Sequence, residues 1–231
     1  DAISQAVDNA VDAGVVSVIA AGNSGPGEQT IGSPGTARKA ITVAAADKQN
    51  QIASFSSRGP VIWKDSEENE KAIVKPDVTA PGVNICAAQY DSAWSDKKCL
   101  DNKHIAISGT SMATPHVAGA VALIKQAHPN WSPEEIKAAL KGTAVDIGKD
   151  IITQGAGRVD VLEAVKLNES VIAELSEMNY LVSGIFDVKG TAKGDNFDKY
   201  EIYYSKKGEE NWNLICEGKQ QVNNGVLCKG F

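Results

Sequence analysis

Apolar residues recur along the first two thirds of the chain with two different periods. From Met112 onward, Val117, Val121 and Ile124 fall on one helical face, and Ala118, Gly119, Ala120 and Ala122 fill the others. A helix apolar on almost every face belongs inside a protein, so this pattern predicts a buried helix. Pro115 suits a helix only near its first turn, which puts the start at about Ser111 or Met112. A second helix is expected over Ala2–Ala13, stopping at Gly14. A third carries a full start signal, with Ser132 as N-cap, Pro133 at N1, Glu135 at N3 and Gly142 beyond its end. Between the helices lie unbroken apolar runs, Val15–Ala21, Ala40–Ala46 and the stretch around Val83–Ala87, which read as buried strands. Helices alternating with such strands predict a parallel α/β sheet, whose ligands sit beyond the carboxyl ends of the strands.

The period shortens from about Asn179. Tyr200, Ile202 and Tyr204 alternate with polar residues, as do Trp212, Leu214 and Cys216, the pattern of short half-buried strands. The chain therefore divides into an α/β part over residues 1–166, a linker over 167–178 and a small all-β module over 179–231. Within the first part, Trp63–Lys75 carries Asp65, Glu67, Glu68 and Glu70 and reads as a solvated surface insertion.

Composition narrows the class without naming it. The 231 residues are 42% hydrophobic, enough for a core, and the net charge of −6 argues against a nucleic-acid partner. No apolar run reaches the roughly 18 residues of a membrane span. Cys86, Cys99, Cys216 and Cys228 allow three connectivities. Short separations favour the local pairs Cys86–Cys99 and Cys216–Cys228, with four free thiols as the alternative. Bridges would imply an oxidising, extracellular setting.

The chemistry concentrates in Ser108-Gly109-Thr110-Ser111-Met112-Ala113-Thr114-Pro115-His116-Val117-Ala118-Gly119. This run puts a serine hydroxyl at the mouth of a helix, where unpaired N–H groups and the positive dipole end favour developing negative charge. A serine at a helix start is most often only a cap. The string, however, resembles the serine block of the subtilisin-like serine proteases, and the resemblance implies that Ser111 is the nucleophile. Val15–Gly25 supports it, because Asn23 in its Ala-Ala-Gly-Asn stretch matches the family's asparagine that donates to the tetrahedral oxyanion. Read alone, Asn23 is a turn residue tolerant of positive φ. Phe55–Pro60 and Lys75–Gly82 also resemble family blocks, structural ones, so Asp77 is not taken for the catalytic aspartate. By the same resemblance Gly32 floors a substrate pocket and Ala20, Ala21 and Gly22 wall it.

A serine nucleophile needs a general base oriented by a carboxylate. None of His104, His116 and His128 suits the role. His116 stands roughly 140° around the helix from Ser111 at about 100° per residue. His104 lies in a strand-like stretch, and His128 ends a helix before Pro129. In the family the catalytic aspartate and histidine precede the block containing Asn23, and no such blocks occur here. The resemblance thus implies the C-terminal half of a three-layer α/β/α subtilisin-like domain, followed by part of a β-sandwich accessory module, with the N-terminal part of the catalytic domain missing.

The expected function is a secreted serine endopeptidase acting on protein or peptide substrates, with the fragment itself inactive. The chemistry requires no cofactor. Structural calcium is common in the family, but no ligand set can be named. Two alternatives stay open. Gly109–Ala113 loosely mimics the nucleophile elbow of an α/β-hydrolase esterase, although that fold needs its acid and histidine after the serine. A non-catalytic pseudoprotease, or a fragment binding through its β module, is the other.

Overall fold

A computed structural model describes residues 1–91, 93, 95–206, 209 and 211–231. The chain forms two compact units, Asp1–Val61 with Val74–Lys166, and Ile62–Ile73 with Leu167–Phe231.

The first unit begins with α1 (Ala2–Asp12), capped by Asp1, whose carboxylate accepts the N–H groups of Ile3 and Ser4. Strands β1 (Val18–Ala20), β2 (Ile41–Ala46) and β5 (Val78–Pro81) form a parallel sheet in the order β1-β2-β5. Every residue of β2 is buried, as a central strand covered on both faces must be. Two further strands, β6 (Ile85–Ala88) and β7 (His104–Ile107), pair antiparallel as a separate ribbon. The run around Val83–Ala87 therefore starts a hairpin, and the third parallel strand comes from the Lys75–Gly82 block instead. The Cys86–Cys99 disulfide staples that hairpin.

Helix α2 (Thr110–Ala127) lies against the sheet, with Ala113, Val117, Ala120, Val121 and Ile124 in the core beside Ile41, Val43, Val78 and Ala80. The sequence suggested a helix buried all round. Only one face is covered, because Ala118, Gly119, Ala122 and Leu123 are exposed, Leu123 at 51%. Helix α1 is likewise covered on one side only, with Val7, Ala10 and Val11 half-buried. It buries Ser4 and Asp8 and leaves Ile3 62% exposed. Asp8 is held by the Lys39 N–H at 2.8 Å and by Arg38 at 3.6 Å, so its burial is compensated by polar partners.

Helix α3 (Pro133–Gly142) has the capping box at its start: Ser132 Oγ accepts the Glu135 N–H and Glu135 Oε2 accepts the Ser132 N–H. Gly142 is its last residue rather than the one beyond. Short helices α4 (Ile151–Gln154) and α5 (Val161–Lys166) complete the unit.

The second unit is built from strands. A hairpin of β3 (Val61–Lys64) and β4 (Glu70–Ile73) turns through Asp65, whose carboxylate accepts the N–H groups of Glu67 and Asn69. Strand β9 (Met178–Asn179) extends this hairpin by pairing with β4. The expected solvated insertion thus lies mostly within Ile62–Ile73, an ordered element of the second unit, while Lys75 is buried in the first. Strands β8 (Val171–Leu175), β10 (Val188–Gly194) and β13 (Val222–Cys228) form an antiparallel sheet, and β11 (Tyr200–Tyr204) pairs with β12 (Asn213–Gly218). Residues 167–178, expected as a linker, instead supply β8 and the start of β9; their apolar-polar alternation is too short to have stood out. Cys216–Cys228 joins β12 to β13, and Tyr200 Oη donates to Leu227 O at 2.7 Å. No described cysteine is free.

Candidate active site

Strand β1 ends at Ala20 and the chain turns through Gly22-Asn23-Ser24-Gly25, beyond the carboxyl edge of the sheet. Strand β7 runs out through Ser108 and Gly109 into the first turn of α2, where Thr110 and Ser111 sit. The fold brings these turns together. Thr110, fully buried, donates both its N–H and its hydroxyl to Asn23 Oδ1, each at 2.9 Å. The same hydroxyl accepts the Gly22 N–H at 3.2 Å.

With Oδ1 taken twice by Thr110, the Asn23 amide is held in one orientation and its Nδ2 is left for another partner. A β-carbon built on Gly109 would stand 3.5 Å from Asn23 Nδ2 and 3.7 Å from Ser111 N. Met112 Sδ stands 3.5 Å from the same point, and glycine here keeps a further side chain out of the ground between two N–H donors. The Ser111 N–H lies in the first helical turn, where no intrahelical acceptor exists, and the helix dipole adds its positive end. Ser111 itself is exposed. An anionic oxygen placed beside Gly109 would meet both donors within reach of the Ser111 side chain.

The remaining expected residues cluster near this turn. Gly22 and Gly32 are neighbours, since a β-carbon on Gly22 would lie 4.0 Å from Gly32 N, whereas one on Gly32 would meet open space. Ala21 is buried and Ala20 half-buried. Asp77 lies inside the unit. It accepts Lys75 Nζ at 2.6 Å and the Thr42 N–H at 2.7 Å, and pairs with Lys137 at 3.2 Å. Burial pushes its carboxyl up, but Lys137, Lys75 and Lys141 outweigh that and hold it far below the usual carboxylate range.

The histidines are engaged elsewhere. His116 Nδ1 donates to Met112 O at 2.8 Å. His104 Nδ1 meets Asp101 at 2.7 Å. His128 Nε2 donates to Val165 O at 3.1 Å while its ring stacks on Trp131. Among the described residues no three His, Cys, Asp or Glu side chains converge to hold a metal ion, and no helix is long and apolar enough to cross a membrane. Thr110 is the site residue that sequence reading passed over. Its only signal was a hydroxyl beside Ser111 inside the same run.

Comparison with known proteins agrees with this geometry. The model of the subtilase family (Peptidase_S8) matches residues 1–176. Serine protease AprX of Bacillus subtilis is 42% identical over 177 residues, covering 71% of this chain and 38% of that protein. Subtilisin Savinase of Lederbergia lenta is 37% identical over 164 residues, covering 71% and 51%. The chain thus spans about half or less of these curated relatives' length. Among solved structures, a protease of Pseudoalteromonas arctica matches with a TM-score of 0.53 at 29% identity over 70% of this chain and 45% of that one. The self-cleaved protease domain of PatA matches with a TM-score of 0.52 at 25% identity over 70% and 53%.

Proposed function

The chain belongs to the subtilase family and has its α/β fold, and from that premise we propose that it supplies the attacking and charge-stabilising half of a serine endopeptidase. Ser111 Oγ attacks the carbonyl carbon of a peptide bond and passes its proton to a base. The oxygen that gains the electron pair is held by Asn23 Nδ2 and the Ser111 N–H. The tetrahedral intermediate collapses, the amine leaves with the proton from the base, and water then hydrolyses the acyl-serine by the same route. Gly32 floors the pocket for the side chain before the scissile bond, and Ala20, Ala21 and Gly22 wall it.

The observation that carries this reading is the shared approach of Asn23 Nδ2 and Ser111 N to the space beside Gly109. Such donors act on charge that exists only in the transition state, which is where catalysis is gained. The base and its carboxylate come from polypeptide outside these 231 residues. Supporting this, the described histidines are engaged away from Ser111, and the first unit leaves Ile3, Val15 and Leu123 more than half exposed, apolar surface that a further layer would cover. Residues 1–61 and 74–166 then represent the C-terminal half of the catalytic domain, and the strand-rich second unit is an accessory module acting as a spacer. An extracellular location fits both the two disulfides and relatives such as the minor extracellular protease Vpr.

A serine-directed phosphonate tests the reading. The 231-residue chain alone is expected to label negligibly and to cleave no peptide, whereas the complete protease labels at Ser111. Rapid labelling of the isolated chain overturns the missing-base reading. Absence of label in the complete protein favours a non-catalytic relative.

A further inference from the structure

We propose that Ser57 is a positioning residue of the oxyanion site, one that fixes the main chain on both sides of Asn23 and affects the reaction only through that asparagine. The inference rests on the reading of Asn23 given above.

Ser57 is fully buried, on the segment Phe55–Pro60. Its N–H donates to Gly22 O at 2.9 Å, and its Oγ accepts the Ser24 N–H at 3.0 Å. One bond holds the residue before Asn23 and the other holds the residue after it. Phe55 O adds a third anchor by accepting the Gly25 N–H at 2.8 Å. Thr110 acts on the other end of the asparagine, its side-chain amide. The two hydroxyl residues therefore divide the work: Thr110 orients the amide, and Ser57 sets the backbone from which that amide springs.

Gly22 is shaped to this contact. Its φ is +105°, and a β-carbon there would stand 2.9 Å from Ser57 Oγ, so only glycine lets the turn close on the hydroxyl. Without that clamp, a turn of glycine and short polar residues has considerable conformational freedom. A transition-state donor works only when its nitrogen stands about 2.7–3.1 Å from the oxyanion. Loss of the Ser57 hydroxyl frees only the chain after Asn23 and leaves Gly22 held through the Ser57 N–H. It therefore slows the chemical step and leaves substrate binding intact, since the ground-state carbonyl makes little use of the donor. Removing Ser57 Oγ takes the acceptor from the Ser24 N–H while the Ser57 N–H bond to Gly22 O remains. Any stability cost of the lost acceptor is shared by both backgrounds, so the cycle with Asn23 isolates the positioning role.

The test is a double-mutant cycle in the active protease that contains this chain. Ser57→Ala is expected to lower kcat about tenfold with KM unchanged, and to have no further effect in an Asn23→Ala background. Ser57→Cys keeps the size and a weak acceptor and is expected to fall between; should Ser57→Ala fail to fold, Ser57→Cys carries the same cycle. Wild-type kcat in the Ser57 variants overturns the proposal, as does an equal loss in both backgrounds, which marks a merely structural role. Asn23→Ala alone keeps the two failures apart. Normal kcat there rejects the oxyanion reading itself, whereas a slow Asn23→Ala enzyme beside a normal Ser57→Ala enzyme rejects only the role of Ser57.

Discussion

The two edges of the β1-β2-β5 sheet are finished differently. At the β5 edge the chain returns and closes it: the Thr79 N–H donates to Gly157 O at 2.8 Å, and the Val159 N–H to Thr79 O at 3.0 Å. At the β1 edge no described strand pairs, and Ile3 and Val15 stand exposed beside it in sequence. An open edge leaves a row of backbone N–H and C=O groups without strand partners. The closed side holds the structural ion network of Asp77, and the open side leads into Asn23. The contrast sets a bonded edge, beside the buried ions of Asp77, against an open one whose strand leads into the proposed oxyanion residue Asn23. Gly82, just past β5, accepts the Gly109 N–H at 2.8 Å and ties the Ser111 turn to the sheet.

Substitutions at each side sharpen or break that contrast. The largest effect belongs to Ser111→Ala, expected to lower kcat of the complete protease by roughly 10⁶, with folding unchanged by circular dichroism. Persistent hydrolysis by the purified variant would remove Ser111 from the mechanism.

On the closed side, Asp77→Ala strands the buried Lys75 and Lys137 ammonium groups. Urea unfolding is expected to show a loss of about 3–5 kcal/mol. The pH dependence has a definite sign. The folded carboxyl is depressed relative to the unfolded one, so its contribution is fully present above the unfolded value of about 3.9 and declines as pH falls below it. The variant should lack this part of the acid transition. An identical acid limb in both proteins would assign the transition elsewhere.

Asn23→Ala is expected to reduce kcat by about 10²–10³ with little change in KM or in unfolding. A comparable loss of stability would move Asn23 from the chemical side to the structural one. The smallest effect is that of Thr110→Val, which keeps the N–H donor to Asn23 Oδ1 and removes the hydroxyl one. A drop of about tenfold in kcat is expected, smaller than for Asn23→Ala because one of the two bonds survives. A loss as large as that of Asn23→Ala would give Thr110 a direct part in holding the oxyanion.

Local signals and tertiary ones separate cleanly in this chain. The α3 capping box was readable from Ser132, Pro133 and Glu135, because a helix start is decided by residues three apart. The strand at Ile41–Ala46 was readable because six buried residues in a row leave an apolar run. The burial of Asp8 in α1 was not, because it depends on the Lys39 N–H, 31 positions away, and on Arg38. Strand β8 escaped notice for a related reason, since five residues of edge strand acquire their identity only from β10.

The site shows the same division. By itself the sequence determined the family, the candidate nucleophile and the candidate oxyanion donor, because Ser111 and Asn23 lie in contiguous runs whose residue order is specific. Only the tertiary structure decided that Thr110 grips Asn23 from 87 positions away and that Ser57 clamps its turn. Hydrogen bonds of that kind leave no period or spacing in a chain; they exist only once separate turns have been brought within 3 Å.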